Sequence, residues 1–183
     1  MDGFKRQVVI LSLLDGMQKN DSWCGETHVQ KCAFFLERGL EVPLELEFIL
    51  YKYGPFSFDL RELLGEMRAN FLIDVEPRGP YGPSLVVSES GQALVGRFPK
   101  TVRENTPAIE FVSGQLARRS VAELERLGTA LYVRTEWPEL PIESHAQRLV
   151  QLKPHVQFEQ AESAVSEVDR LLQEAASISR ANV

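Results

Sequence analysis

Cysteine and histidine are scarce in this chain of 183 residues, which has two cysteines and three histidines. A structural zinc site usually takes four ligands from these residue types, so carboxylates would have to complete one here. Cys24, His28 and Cys32 do follow a helical i, i+4, i+8 spacing. However, Gly25 is expected to break such a helix, and a buried cysteine usually packs as a small apolar residue. We therefore expect neither a metal site nor a cofactor.

Long apolar runs are also absent. The run from Val8 to Leu14 is interrupted by Ser12 and followed by Asp15, so it is too short to cross a bilayer. No small-residue cleavage site follows it. The hydrophobic fraction of 44% and the charged fraction of 25% are those of an ordinary soluble protein. These features predict a cytoplasmic protein without a signal peptide or membrane anchor.

Catalytic motifs are missing as well. Ser57 and Ser120 stand where helices are expected to begin, and neither lies in a Gly-x-Ser-x-Gly elbow. The segment GPYGPS lacks the lysine and the spacing of a phosphate-binding loop. A group of carboxylates has no fixed ligand spacing for a divalent cation, so a solvated loop is favoured; its members are Glu37, Glu41, Glu45 and Glu47. We expect no enzymatic activity, and the hypothesis of a hydrolase has no candidate residue.

Positive charge is in short supply, since the formal net charge is −6 and the isoelectric point is about 5.2. Such a chain repels phosphate polymers at neutral pH. This argues against non-specific binding of nucleic acid but leaves a local basic face possible.

The N-terminal half is rich in signals for short elements. Apolar periodicity predicts a first helix from Phe4 to Met17. Thr27 and Gln30 have the form of a capping box that opens a second helix to about Arg38, and Gly39 ends it. Aromatic and β-branched residues predict a strand from Leu46 to Tyr53.

Gly54-Pro55 breaks this strand, and a leucine-rich helix follows. Ser57 or Asp59 is its expected cap, and four of its residues are expected to be buried: Leu60, Leu63, Leu64 and Met67. Two short strands, Phe71 to Val75 and Leu85 to Ser88, flank EPRGPYGP, the expected tip of a wing. Helix, helix, strand, helix and hairpin is the element order of a winged-helix domain.

The remainder is predicted to be helical. Thr106-Pro107 predicts a helix start with proline at its first position, running to about Arg118. Ser120 and Glu123 form a second capping box. EWPELP interrupts that helix, and two more helices are expected, Ser144 to Leu152 and Glu159 to Ser177. The fold class is therefore α+β and mainly helical, with a winged-helix-like lobe with a small antiparallel sheet (1–95) and a helical lobe packed on it (96–183).

In THVQKCAFFLERG, ILYKYGPFSFDLRELLGEM and FLIDVEPRGPYGP the chain resembles the Panacea domain, also called the SocA antitoxin-like domain, and the small bacterial YwgA-type proteins. A helix with Gln-Lys and a Tyr-Gly-Pro-Phe-Ser turn that leads into a leucine-rich helix carry this resemblance. It covers roughly Val8 to Val95, and LKPHVQFEQAESAVSEV is similar to the last helix of the YwgA-type proteins. The resemblance implies a mainly helical fold without a known catalytic centre, and a protein that neutralises a toxin by direct contact or delivers it to a protease.

A partner-binding surface is predicted around the Tyr-Gly-Pro turn. Gly54 permits backbone angles that other residues avoid, and Pro55 fixes φ, so the turn is expected to be a stiff corner between strand and helix. Tyrosines at such a corner also suit protein binding. The expected binding residues are Lys31, Tyr51, Lys52, Tyr53, Phe56 and Ser57. For Lys31 and Lys52 the favoured interpretation remains a lysine that reaches solvent or a carboxylate.

Two functions stay open at this point. The first is a non-enzymatic interaction module, antitoxin-like or adaptor-like, that binds a partner protein such as a toxin encoded nearby. The alternative is a winged-helix DNA-binding regulator, with Arg61, Arg68 and Asn70 as the basic or polar residues of the recognition helix and an arginine in the wing. Asp59, Glu62 and Glu66 on the same helix weaken this alternative.

Overall fold

The structure is a computed structural model that describes residues 1–181, except for the side chains of Tyr81 and of residues 178–181. Its α-helices are α1 (Gly3–Lys19), α2 (Glu26–Phe34), α3 (Phe58–Ala69), α4 (Glu89–Gly96), α5 (Pro99–Leu116), α6 (Val121–Glu136), α7 (Ile142–Leu152) and α8 (Phe158–Ala181). A π-helical segment, Phe35–Gly39, continues α2. The strands are β1 (Ile49–Tyr51), β2 (Gly54–Phe56), β3 (Ile73–Arg78) and β4 (Tyr81–Val87). The α+β, mainly helical class predicted from sequence is confirmed.

Helix α1 lies at the centre of the packing. Its residues from Val8 to Leu14, apart from the partly buried Ser12, are buried, because α5, α4, β4 and α2 all pack against it. A helix that is apolar on most sides needs such surroundings. The Asp2 side chain accepts from the backbone N–H of Lys5, which extends the helix at its N-terminus beyond the predicted Phe4.

Helix α2 begins two residues earlier than the capping-box motif predicts. Its N-cap is Gly25, without a side-chain hydrogen bond, and Thr27 lies in the first turn. The reason is that Cys24 adopts φ +49°, which turns the chain into the helix at Gly25. Thr27 is therefore not a cap, whereas the predicted end at Gly39 is confirmed.

Of the predicted strand from Leu46 to Tyr53, only Ile49–Tyr51 is a strand, and it forms the first arm of a hairpin whose second arm is β2. β1 pairs antiparallel with β2, so that Leu50 is opposite Pro55 and Tyr51 is opposite Gly54. The expectation of a corner from strand to helix was therefore wrong at Gly54-Pro55, which starts a second strand. Gly54 has φ +85°, which lets the chain reverse at Lys52 and Tyr53.

The segment predicted as a wing, which we continue to call the wing, is a second hairpin, in which β3 pairs antiparallel with β4 and a bulge lies between Glu76 and Arg78. The winged-helix likeness of this half stays a prediction. Its strands extend further toward the tip than the sequence predicted. In the described chain β1–β2 and β3–β4 form separate two-stranded sheets, so the expected small sheet is divided between two hairpins.

The C-terminal half differs from expectation at one helix start. Pro107 lies inside α5, which begins at Pro99, and α4 before it is capped by Ser88. The Thr106 hydroxyl donates to the Val102 carbonyl, so Thr106 is part of the helix rather than its cap. The capping box of Ser120 and Glu123 is confirmed. The break at EWPELP and the two last helices are also found, with starts one or two residues earlier than predicted.

A continuous cluster of buried apolar residues draws on both halves of the chain. Helix α5 packs on α1, α6 packs on α2 and β2, and α7 and α8 pack on α6. The domain boundary near residue 95 stays a prediction. No helix in the described part of the chain is long and apolar enough to cross a membrane.

Candidate partner-binding surface

Aromatic residues, together with one isoleucine and one lysine, cluster at the surface of the first hairpin and the start of α3. We call this cluster the hairpin surface; it consists of Ile49, Tyr51, Lys52, Tyr53, Phe56 and Phe58. Tyr51 is 54% exposed, Tyr53 49% and Phe58 48%, which is unusual for side chains of this size. The ring centroids of Phe56 and Phe58 are 5.1 Å apart, and the Tyr51 ring lies within 6 Å of both. Lys52 places its ammonium 5.2 Å from the centre of the Tyr53 ring.

Strand alternation and a helix cap create this arrangement. Ile49 and Tyr51 are two residues apart on β1 and share its outer face, while Leu50 between them is less exposed. Ser57 is the N-cap of α3, and its hydroxyl accepts from the Leu60 N–H at 3.1 Å. Phe58 therefore becomes the first residue of the helix and remains at the surface.

Lys31 binds the hairpin on its buried side. It is 1% exposed, and its ammonium donates to the Pro55 carbonyl at 2.9 Å. Burial lowers the pKa of Lys31 to about 8, although the nearby carboxylate of Glu125 favours the charged form. Of the two alternatives predicted for Lys31, reaching solvent was wrong, because its ammonium is buried and donates to a backbone carbonyl, with the Glu125 carboxylate nearby.

Lys153, which follows the last residue of α7, anchors the turn itself. Its ammonium donates to the carbonyls of Tyr51 at 2.8 Å and Lys52 at 2.6 Å, and lies 3.1 Å from a Glu125 carboxylate oxygen. The same oxygen is 3.4 Å from His155 Nε2. Lys153 is more than 100 residues from the turn along the chain, so no local pattern could have indicated this contact.

Close backbone packing completes the support. A side chain at Gly54 would bring its Cβ within 3.3 Å of the Glu125 carbonyl oxygen. On α6, a Cβ at Gly128 would lie 3.1 Å from Pro55 Cδ. These two glycines let β2 lie directly against α6.

Gln30 binds the end of the hairpin in a reciprocal pair. Its side-chain amide donates to the Ser57 carbonyl at 2.9 Å and accepts from the Ser57 N–H at 2.8 Å. Gln30 and Lys31 are the Gln-Lys pair of the resemblance, and residues 55 and 57 belong to its Tyr-Gly-Pro-Phe-Ser turn. The Gln-Lys pair is thus in direct contact with this turn.

The structure brings all six residues of the predicted binding site together. Tyr51, Lys52 and Tyr53 are exposed and Phe56 is half-buried, whereas Lys31 and Ser57 are buried. The buried two position the hairpin, and the exposed residues form its surface. Phe58 and Ile49 belong to the same surface and were missed. Partner binding by these residues stays a prediction.

The other sequence candidates have structural explanations. Among the residues that the structure describes, no group of three or more His, Cys, Asp or Glu side chains could hold a metal ion. Burial raises the pKa of the Cys24 thiol to about 11 and raises that of Cys32 as well, so both remain protonated at neutral pH. In the acidic segment, Glu37 accepts from the Leu46 N–H and Glu45 pairs with Arg6.

Compared with known proteins, the chain matches neither a protein-family model nor a curated protein. The resemblance to the Panacea domain therefore stays a prediction that depends on the residues quoted above.

Proposed function

We propose that this protein is a non-enzymatic interaction module of the cytoplasm, antitoxin-like or adaptor-like, that binds a partner protein through the hairpin surface. The observation that carries the proposal is the exposure of Tyr51, Tyr53 and Phe58 on a hairpin whose backbone is held by buried side chains. Tyrosine is enriched where proteins bind each other, because it combines a large rigid area with a polar end.

Anchoring of the turn supports the same proposal. Ordering a mobile loop on binding costs free energy, and a loop that is already held avoids much of that cost. Lys153 fixes the carbonyls of Tyr51 and Lys52 before any partner arrives. The exposed side chains are thus presented on a rigid turn.

The nature of the partner follows from the resemblance. Panacea-type proteins neutralise toxins by contact, so a toxin encoded beside this chain is the first candidate. The test is co-expression of the chain with each neighbouring gene product, followed by copurification and a binding titration. We expect one product to copurify and to become toxic when this chain is deleted.

Variants then locate the surface on the partner complex. Lys52→Ala and Tyr53→Ala should each weaken binding by roughly tenfold, while thermal unfolding of the free protein remains close to that of wild type. Phe4→Ala is the matched control, because Phe4 is an exposed aromatic residue outside the hairpin surface, at 63% exposure. Equal binding by all three variants would remove the hairpin surface as the site, and the absence of any copurifying neighbour would remove the proposal.

DNA binding is the second candidate, and the placement of three arginines favours it. Arg61 and Arg68 on α3 line a groove together with Trp23, and Arg78 of the wing lies over the Trp23 ring at 4.8 Å. Exposed Glu62 and Glu66 on α3 and the net charge of −6 oppose a phosphate backbone. An electrophoretic shift assay against the promoter of its own gene at low salt tests this candidate, and an unshifted band eliminates it.

A further inference from the structure

A groove of about 540 Å³ lies between the N-terminus of α2, helix α3 and the wing. We call it the wing groove. This volume falls in the range of small-molecule sites, roughly 300 to 1,000 Å³. Its walls are mainly apolar, and the apolar residues that line it are Leu64, Ile73, Val75, Pro83, Leu85 and Val121. The hairpin surface contributes none of its lining residues, so the groove is a separate feature.

Positive charge surrounds this apolar groove. Arg61 and Arg68 are seven residues apart on α3, which places them about two turns apart along one side of the helix. In the described chain, Arg68 makes no ion pair, and Arg61 has only a loose one with Glu26 at 3.6 Å. The bulge between Glu76 and Arg78 shifts the register of β3, and the Arg78 guanidinium lies over Trp23, which lines the groove.

Among the residues that line the groove, Glu26 is the one acidic side chain, while the exposed Glu62 and Glu66 lie next to the lining residues of α3. Asp74 and Glu76 of β3 are exposed and alternate with Ile73 and Val75, so they lie on the opposite face of the strand. The groove lining therefore contains two arginines and one carboxylate, and a third arginine, Arg78, lies over the lining residue Trp23, in a protein whose overall charge is negative.

The N-terminal end of α2 adds hydrogen-bond donors to the groove. Gly25 provides no side-chain cap, and in the described chain no protein acceptor binds the N–H groups of the first turn, residues 26–28. His28, also in the groove lining, is 1% exposed; its Nε2 donates to the Arg119 carbonyl oxygen at 2.8 Å, so in the neutral ring the buried Nδ1, which has no partner, is an acceptor and adds no donor. Burial, together with the charges of Lys31 and Arg78, lowers the pKa of His28 and favours its neutral form. A helix N-terminus with open donors attracts negative groups.

We propose that the wing groove binds a small amphipathic anion, whose apolar body lies against the walls and whose acidic group pairs with the unpaired Arg68 at the rim. The shape favours a small molecule over a nucleic acid, because a groove of about 540 Å³ with mainly apolar walls offers a phosphate backbone few polar partners. This site is independent of the proposed partner binding.

Gly65 offers a direct test, because it lines the groove on α3 and a Cβ built there meets no atom within 4 Å. Gly65→Leu should add apolar bulk at the groove wall from a Cβ that meets no neighbour, and should favour the helix. Gly114→Leu is the matched control, since Gly114 is an exposed glycine of α5 that also has open space and lies outside the groove. To test the role of the charge, Arg68→Gln is compared with Arg103→Gln. Arg103 serves as the control because it is an exposed arginine of α5.

The experiment is calorimetric titration of the full chain with octanoate and with 1-octanol, which share an apolar body and differ in charge. We expect octanoate to bind at least about tenfold more tightly than octanol. Arg68→Gln should reduce octanoate affinity about tenfold with little effect on octanol, and Gly65→Leu should abolish binding of both. Both control variants should bind like wild type, and circular dichroism should show that all four variants are folded.

Several outcomes overturn the proposal. No octanoate binding by wild type at millimolar concentration, equal affinity for the two ligands, or unchanged binding by folded Gly65→Leu would each do so. Binding of a short DNA duplex that depends on Arg68 and Gly65, without binding of octanoate, would assign the groove to nucleic acid instead.

Discussion

Gly54 is the residue on which the geometry of the hairpin depends most directly. With φ +85° it occupies a region that L-residues rarely adopt, and an added Cβ would lie 3.3 Å from the Glu125 carbonyl oxygen. We expect Gly54→Ala to reduce the free energy of unfolding by about 1 to 3 kcal/mol, measured by urea denaturation.

A comparison with Gly79 in the wing separates the cost of backbone strain from the cost of crowding by neighbouring atoms. It has φ +44° but no atom within 4 Å of a built Cβ, so Gly79→Ala carries only the backbone term. Its cost should be smaller than that of Gly54→Ala. If the two costs were equal, packing against α6 would not contribute at Gly54.

Lys31 makes stability depend on pH. Its pKa is lowered to about 8 in the folded protein by burial, whereas an unfolded lysine titrates near 10.5. Between these values the unfolded chain binds more protons, so stability rises with pH through this window and is lost again as pH falls toward 8. Relative to Lys31→Met, wild type should gain up to about 3 kcal/mol between pH 7.5 and 10.5.

Urea denaturation of both proteins at several pH values measures this difference directly. Taking the difference cancels other groups that titrate in the same range and leaves the contribution of Lys31. A difference that stays constant over the window would show that the Lys31 ammonium keeps its proton throughout.

Among the elements, helix α3 was predicted correctly, but one of the four residues predicted to be buried in it is only half-buried. Leu60, Leu64 and Met67 are buried as predicted, but Leu63 is only half-buried at the edge of the core. We expect Leu60→Ala to cost about 2 to 5 kcal/mol and Leu63→Ala roughly 1 kcal/mol in thermal or urea unfolding. Equal costs would place Leu63 in the core and contradict the observed rotation of the helix.

Local signals predicted those elements that local interactions determine. Ser120 and Glu123 bind each other's backbone within one turn, and this helix start was predicted correctly. The same motif failed at Thr27, because the left-handed Cys24 turns the chain into the helix at Gly25. Pro107 likewise looked like a helix start, although α5 begins earlier and continues through it.

Most residues of the hairpin surface were recognised from the sequence, but the contacts that hold the hairpin in place were not. Tyr51, Lys52 and Tyr53 are recognisable from sequence as an aromatic turn. Their anchors come from Lys31, 24 residues from its acceptor, and from Lys153, more than 100 residues away. Contacts at such separations leave no periodic pattern, so the hairpin could not be distinguished from a corner between strand and helix.

At the scale of the whole molecule, the two halves of the sequence share their interior. α1 is covered by α5, and the first hairpin is held by α6 and by the residue that follows α7. Residues 1–95 therefore depend on the rest of the chain for the burial of their apolar side chains. The hairpin surface and the wing groove are built on this common framework.

The anchors of the turn bind main-chain carbonyls, which every amino acid possesses. Lys153 holds positions 51 and 52 through oxygen atoms that are unchanged when the side chains change. The outward-facing side chains at positions 52 and 53 can thus be replaced without removing these hydrogen bonds. A combinatorial library at these two positions would yield folded proteins with many different tips, and selection from it could redirect the scaffold to new targets.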